Sequence, residues 1–387
     1  MRIAMITPGF SSSPADWCIP AVRTLVKALA AAGHDVEVFA LRYPEPARRY
    51  ELEGVTVTAI GGGAARGRRR LALLGRGVRD VVASDRARRF DVLHALWAHE
   101  PAMVALAAGK VRRLPVAVSL LGGELVGLRE IGYGDQLGAA GRWMVAAAMR
   151  SAPLVTCPSR YMEDLARPFR APSRPLARIP LPVDTSLFSA VNRGAGARLA
   201  GHPALLHVAS LVPVKDQALL FAAFRRILDE LGEARLHVVG DGPLRGELEV
   251  LAGRLGLLPA VVFHGAKAHD ALPAYYRGAD LLLMSSRHES LGMVVLEAAA
   301  CGCPAVGTAV GVIPDVPKSA VGVPVGDAHL LASAALAVLG NRQQREAMSG
   351  EGVAVAGELF SPPCVAAAVA RLYVALRNGA WAAAGGS

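Results

Sequence analysis

Glu289 and Glu297 stand eight positions apart in RHESLGMVVLEAAACGCPAV, residues 287–306. MVVLEAAAC is otherwise apolar and reads as a buried helix, where an unpaired carboxylate costs several kcal/mol. DLLLMSS reads as the strand before it and RHES as the turn, so the helix is expected to begin near Leu291 or Gly292. The backbone N–H groups of Ser290, Leu291 and Gly292 then lack partners within the helix. With the helix dipole they favour an anion such as a phosphate. Gly292 lets a ligand approach the backbone. Glu289, beside that anion, could accept hydrogen bonds from sugar hydroxyls, and Glu297, one to two turns inward, could accept both donors of a ribose diol. The plainer alternatives are a first-turn acid favoured by the dipole for Glu289 and a buried acid paired with arginine for Glu297.

The elements that must position this pair recur along the chain. Its 387 residues, 53% hydrophobic and 19% charged, suffice for two domains with full cores. RIAMITP, DVEVFAL, VTVTAI, DVLHAL, PVAVSLL and LVTCPS read as strands, IPAVRTLVKALAAAG as a helix stopped by Gly33, and YMEDLAR as a shorter helix after Ser159. The proline-rich RAPSRPLARIPLPVDTSLF breaks the rhythm and reads as a connection, continued by NRGAGARLAGHP. Strands ALLHVASL, RLHVVGD, VVFHGA, DLLLMSS and PAVGT then alternate with helices QALLFAAFRRILDEL, PLRGELEVLAGRLG and GMVVLEAAAC. DAHLLASAALAVLG and PCVAAAVARLYVALRNG follow as the last helical segments. The expectation is an α/β chain of two Rossmann-like βαβ domains. They are an N-terminal domain over 1–180, a connection over 181–200, a C-terminal domain over 201–360 and a last helical segment over 361–387. Open parallel sheets bind ligands beyond the carboxyl ends of their strands, so the expected site is a cleft between the domains.

The net charge is +10, and its distribution is uneven. Residues 1–180 carry 26 Lys and Arg against 15 Asp and Glu, whereas the remainder carries 16 against 17. RGRRR at 66–70 is the densest basic cluster. Such a surface suits an anionic lipid or a phosphorylated substrate, or is simply a solvated face. Nucleic acid is disfavoured, because the arginines lack interleaved aromatics or a recognisable module. Five cysteines without a repeated spacing argue against a disulfide framework, and Cys301 and Cys303 read as small residues at a helix end rather than metal ligands. MRIAMITPGF reads as a strand rather than a signal peptide, and no apolar run is long enough to span a membrane. The expected location is the cytoplasm, with an anionic membrane surface as a possible partner.

The segment around Glu289 and Glu297 resembles the E-x(7)-E signature of retaining GT-B glycosyltransferases, family four, with EAAACGCP matching E-A-x-A-x-G-x-P. Other features similar to that family follow in order: GHDVEVF, RIPLPVDTSLF, HVASLVPVKDQALLFAAF, HVVGDGPL, VVFHGA, YYRGADLLLMSSRHES and VGTAVG. The resemblance implies a GT-B architecture, with the last helix crossing back to the first domain. It also implies a nucleotide diphosphate sugar as donor, no cofactor and no metal. The acceptor would be a glycan, a lipid-linked molecule or a small molecule. By the resemblance Glu289 contacts the donor sugar and Glu297 the ribose, with Ser290, Leu291 and Gly292 at the phosphate. Lys215 matches the lysine that binds the donor diphosphate, where its charge would offset what the leaving nucleotide gains. Gly240 and Gly265 match glycines near the nucleotide, and the Lys267 backbone is a candidate base contact. Simple turn chemistry is the alternative for the glycines, and a solvated loop for Lys267.

Three positions depart from the family pattern. Ser210 stands where an arginine is usual, and a hydroxyl cannot replace a guanidinium as a charge. Arg287 is the nearby basic residue. The first loop, TPGFSSSPADWCIP, has the single glycine Gly9 where a pair is usual. In SLLGGEL, Leu121 stands where many relatives have a histidine near the reacting sugar. His94 is the candidate replacement in catalysis, and His99 is a second. For each, the reading as a structural histidine is the stronger alternative. Gly122, Gly123 and Glu124 are candidate acceptor-side residues. Leu121 and Ser210 favour one rival reading, a donor-binding or scaffold partner that has lost its chemistry. A nucleotide-sugar epimerase on the same fold is another.

Overall fold

The computed structural model describes residues 1–191 and 196–379. Parts of the expected connection, 192–195, and of the expected last segment, 380–387, lie outside the described residues. The chain forms two compact units. Unit 1 comprises residues 1–182 together with the chain from Pro362 onward, and unit 2 comprises Val183–Ser361.

Unit 1 contains β1 (Arg2–Gly9), α1 (Pro20–Ala31), β2 (Asp35–Tyr43), β3 (Arg48–Leu52), β4 (Val55–Ala59), α2 (Gly67–Ala87) and β5 (Val92–Leu96). It continues with α3 (Glu100–Arg112), β6 (Val116–Ser119), α4 (Ala139–Ser151), β7 (Leu154–Cys157), α5 (Arg160–Ala166) and β8 (Leu176–Arg178). The sheet order is β3-β4-β2-β1-β5-β6-β7-β8, parallel except for β3 against β4. Strand β3 is absent from the sequence expectation. It joins β4 through Glu53 and Gly54, both at positive φ, a two-residue hairpin turn whose twist suits antiparallel strands. Strand β8 lies inside the segment expected to be a connection. Pro175 and Pro180 flank its three residues without interrupting them, and β8 is an edge strand, where proline is tolerated. The RGRRR cluster, expected only as a charged surface, opens helix α2.

Unit 2 contains β9 (Ala204–Val208), α6 (Gln217–Leu231), β10 (Arg235–Val239), α7 (Arg245–Arg254), β11 (Val261–Gly265), α8 (Leu272–Gly278) and β12 (Leu281–Met284). After these come α9 (Met293–Ala300), β13 (Ala305–Thr308), β14 (Ala320–Val323), α10 (Ala328–Gly340) and α11 (Arg342–Leu359). The all-parallel order is β11-β10-β9-β12-β13-β14. Helix α12 (Pro362–Arg377) returns the chain to unit 1, where Val365, Val369 and Tyr373 join Val22, Leu25 and Leu96 in one buried cluster. A second cluster in unit 1, built on Leu93, Val104, Val118 and Val145, involves helices α3 and α4. In unit 2, Leu205, Phe221, Phe224, Leu236 and Leu331 form the core.

Strand order decides which loops can meet. In unit 2 the chain runs outward from β9 to β11 and returns to β12, on the other side of β9. The loops after β9 and β12 therefore leave neighbouring strand ends at the topological switch point, the usual ligand crevice of an open parallel sheet. In unit 1 the same reversal falls between β1 and β5.

Candidate active site

Lys215 follows β9 and Glu289 follows β12, so the strand pairing of Leu205 with Leu281 brings their loops together. Lys215 Nζ donates to Glu289 Oε1 at 2.5 Å, and Ser286 Oγ donates to the same oxygen at 2.7 Å. Backbone contacts fix both loops. Ser285 Oγ donates to the Lys215 carbonyl at 2.7 Å, the Arg287 N–H to the Val214 carbonyl at 2.8 Å, and Thr308 Oγ1 to the Ser286 carbonyl at 2.6 Å. Burial pushes the Glu289 carboxyl up. The Lys215 ammonium, hydrogen bonds from Lys215 and Ser286, and the charge of His288 more than offset this, leaving it below the usual carboxylate range. Glu289 is therefore an anion beside a cation, at the open end of α9.

Gly292 caps α9 at φ 78°, a left-handed conformation that glycine adopts without strain. The helix begins at Met293, slightly later than the sequence suggests, and has no side-chain cap. Glu297 lies inside this helix, almost fully buried. Its partners are not arginines: Oε2 accepts from Tyr276 Oη at 2.8 Å, and His269 Nε2 lies 3.1 Å from Oε1. Burial, followed by the charge and hydrogen bond of Glu297, raises the Tyr276 hydroxyl well above the ordinary tyrosine range, so it remains a donor. Phe188 packs edge-on against both His269 and Tyr276.

Gly240 donates its N–H to the Gly265 carbonyl at 3.0 Å, which brings the ends of β10 and β11 together. A Cβ at Gly240 would collide with the Ala209 carbonyl, so glycine is required there by close backbone approach as well as by its φ of 136°. Ser210 is exposed, and its carbonyl accepts from Gln217 Nε2 at 3.1 Å. Lys267 is exposed. Arg287, the basic residue near the Ser210 loop, donates from Nε to Asp216 Oδ2 at 2.8 Å, and Asp216 caps α6 through the Leu219 N–H.

In unit 1, Glu124 is fully buried and accepts backbone N–H groups from Leu121 at 3.0 Å, Gly122 at 2.6 Å and Ala98 at 3.4 Å. Burial raises its carboxyl above the usual range, against the pull of His99 and these N–H donors. It shapes the loops after β5 and β6. Gly122 and Gly123 are small for packing reasons: a Cβ would meet the Trp97 indole nitrogen at 2.7 Å or the Tyr133 ring at 2.8 Å. A Cβ at Gly9 would lie 3.2 Å from Cys18 Sγ and 3.4 Å from Tyr43 Cβ. The loop beyond it is gathered by Asp16, which accepts from the Ser12 N–H, Ser12 Oγ and Tyr43 Oη, each at 2.7 Å.

His94 differs from its sequence expectation. Its ring is buried, with Nδ1 2.6 Å from Tyr373 Oη and Nε2 2.7 Å from Ser119 Oγ. Both nitrogens are committed, and burial pushes its pKa down to about 4. The catalytic role expected for His94 gives way to a structural one. Leu121 belongs to the same hydrophobic cluster as Leu96 and Tyr373. His99 caps α3, its Nδ1 accepting the Glu100 N–H at 2.9 Å. His207 is likewise buried. It bonds the Leu283 carbonyl at 2.9 Å, and burial holds it near a pKa of about 4.

These two histidines predict a pH dependence of stability. Each is neutral when folded but protonates at about 6.5 when unfolded. Between about pH 6.5 and 4 the unfolded chain binds more protons, so stability falls as pH falls through that window. Each contributes on the order of 3 kcal/mol over the whole range. Urea midpoints at pH 7.5, 6 and 5 should decline, and His94→Gln should flatten the slope for unit 1.

Sequence reasoning missed Ser286, Asp216, Tyr276, His269 and Asp16. Ser286 lies three residues before Glu289 and was legible as a local partner. Tyr276 and His269 meet Glu297 only through the packing of α8 against α9. Among the described residues no group of three His, Cys, Asp or Glu side chains could hold a metal ion. No single helix among them is long and apolar enough to cross a membrane.

Comparison with known proteins assigns both halves. Residues 21–187 match the model described as Glycosyltransferase Family 4, and residues 192–353 match Glycosyl transferases group 1. A GDP-mannose-dependent phosphatidylinositol monomannoside mannosyltransferase of Mycolicibacterium smegmatis is 34% identical over 177 residues, 42% of this chain and 46% of that protein. The matched segment thus spans less than half the length of that relative. Sucrose-phosphate synthase from Thermosynechococcus elongatus shares the fold, with a TM-score of 0.79 at 21% identity over 98% of this chain and 100% of that one. Anabaena HepE in complex with UDP and glucose does so with a TM-score of 0.73 at 17% identity, covering 97% and 100%. With two Rossmann-like domains, each matching its own family model, the chain belongs to the GT-B-fold glycosyltransferases of family 4 and group 1.

Proposed function

We propose that the chain is a retaining glycosyltransferase that moves a sugar from a nucleotide diphosphate sugar to an acceptor. The observation that carries this reading is the convergence of Lys215, Ser286 and Glu289 at the glycine-capped start of α9, with Glu297 deeper in the same helix. The donor's diphosphate takes the helix N–H groups and the Lys215 ammonium, Glu289 accepts from sugar hydroxyls, and Glu297 accepts from the ribose. Tyr276 and His269 occupy one direction at each Glu297 oxygen and leave further lone pairs for the diol.

As the bond from the anomeric carbon to phosphate breaks, the acceptor oxygen attacks from the same face. Its proton passes to the leaving diphosphate oxygen. This route needs no protein nucleophile, and it makes stabilisation of the diphosphate the main task of the protein. The basic excess of residues 1–180 supports a phosphorylated, glycan or lipid-linked acceptor, met in the cytoplasm or at an anionic membrane surface. Relatives act on such molecules: the mycobacterial enzyme named above takes a phosphatidylinositol monomannoside.

A thermal-shift panel of UDP- and GDP-sugars tests the reading, because a bound donor raises the melting temperature. One donor should stabilise the chain, and Glu297→Ala should weaken its binding by about tenfold or more, the loss of two hydrogen bonds to a charged acceptor. Leu121, buried among hydrophobic side chains, and the exposed Ser210 favour a second reading, a donor-binding partner without transfer activity. Donor binding with neither hydrolysis nor transfer, across a broad acceptor panel, would select it.

A further inference from the structure

Arg42, Arg66, Arg70, His99, Glu100 and Asp135 line a cavity of about 370 Å³ within unit 1. Its charges are arranged around one buried carboxylate. Glu100 accepts from Arg42 Nε at 2.7 Å and from Arg42 Nη2 at 2.6 Å, and Arg70 Nε lies 2.5 Å from its Oε1. Burial pushes the Glu100 carboxyl up, but the hydrogen bonds and charge of Arg42, with the charges of Arg70 and His99, hold it below the usual range. Glu100 is therefore ionised and orients two guanidiniums while neutralising one. Arg42 is further anchored on the Gly63 and Ala65 carbonyls, so its position is fixed before any ligand arrives.

The third guanidinium, Arg66, is exposed. With Asp135 counted against it, the lining still carries three guanidiniums and two carboxylates. Helix α2 begins at the same place. Arg66 is its N-cap and supplies no side-chain acceptor, and the first turn holds Arg68, Arg69 and Arg70 with no acid. Arginines at the positive end of a helix are unfavourable unless an anion sits among them. An oxyanion that accepts from planar guanidinium forks and from helix N–H groups satisfies both demands, and phosphate has the oxygens and charge to do so. The volume exceeds that of a bare phosphate and falls in the range of small-molecule sites. Asp135 and His99 add polar groups for hydroxyls.

We propose that this cavity binds a phosphate ester, and that the ester belongs to the acceptor. The second clause rests on the glycosyltransferase reading, whereas the first stands on the cavity alone. The phosphate could come from a soluble sugar or polyol phosphate, or from a lipid headgroup.

Isothermal titration of the full chain with glucose 1-phosphate, inorganic phosphate and glucose, beside flotation with phosphatidylglycerol vesicles, separates these sources. Arg66→Glu is the informative variant because it reverses a charge without breaking the Glu100 ion pairs, and Arg70→Lys is the milder companion. Either glucose 1-phosphate or the vesicles should bind, glucose should not, and Arg66→Glu should weaken the binding by about tenfold or more. Nucleotide-sugar binding, followed in parallel, should be unchanged in Arg66→Glu. Phosphate-ester binding that ignores Arg66→Glu, that a nucleoside diphosphate displaces, or that is absent in both soluble and vesicle form overturns the proposal. If no nucleotide sugar binds while Arg66-dependent phosphate-ester binding persists, the anion site stands and its assignment to an acceptor falls.

Discussion

Lys215→Ala should reduce turnover by about 10²–10³-fold, the usual loss when one preorganised donor to a developing anion is removed. In the proposed reaction the donor diphosphate gains charge as the sugar departs, and Lys215, held 2.5 Å from Glu289, is the ammonium proposed to meet it. The measurement is the initial rate of donor hydrolysis or transfer at saturating nucleotide sugar. A second variant separates catalysis from charge pairing. If Lys215 only neutralised Glu289, then Lys215→Arg, which keeps a positive charge beside that carboxylate and leaves Glu289 in place, would retain full turnover. Lys215→Arg should instead lose turnover, because a planar guanidinium does not reproduce the compact charge of the ammonium, with the fold intact by circular dichroism.

Glu124→Ala should destabilise unit 1 by on the order of 3 kcal/mol or more, because it strands buried backbone N–H groups at about 1–3 kcal/mol each. Three of them, on Leu121, Gly122 and Ala98, converge on this carboxylate. Glu124→Gln keeps one acceptor oxygen and should lose less. Chemical denaturation followed by tryptophan fluorescence reads both, with Trp97 beside the loop as an internal reporter. Equal stability of Glu124→Ala and the parent chain would show that these loops do not depend on the carboxylate.

The alternation of apolar runs with helical segments made the two βαβ domains legible in the sequence, because buried parallel strands are continuous apolar stretches. Helix α2 was not, since its arginines hide the few apolar positions that face the core, Leu73, Gly77 and Val81. Strand β8 was masked by its prolines, which turn out to flank it. Within the candidate site, the turn carrying Glu289 and Gly292 was legible from its own residues, an acid and a glycine ahead of an apolar helix, whereas Lys215 was legible only through the family resemblance. The partners of Glu297 were not. Tyr276 and His269 sit on another helix and its preceding turn, and only the packing of α8 on α9 brings them to the carboxylate. His94 shows the opposite error. A histidine in a strand next to the switch point looked available, but Tyr373 from the last helix and Ser119 from the adjacent strand close over both ring nitrogens. Contacts between residues so far apart in sequence have no local signature.

The most direct test is a crystal structure of the chain with its preferred nucleotide diphosphate sugar, or with the nucleoside diphosphate alone. The ribose hydroxyls should lie about 3 Å from the Glu297 oxygens, and the diphosphate should contact Lys215 Nζ and the N–H groups leading into α9. A nucleotide bound elsewhere, with Glu297 still facing only Tyr276 and His269 and Glu289 still held only by Lys215 and Ser286, would contradict the account.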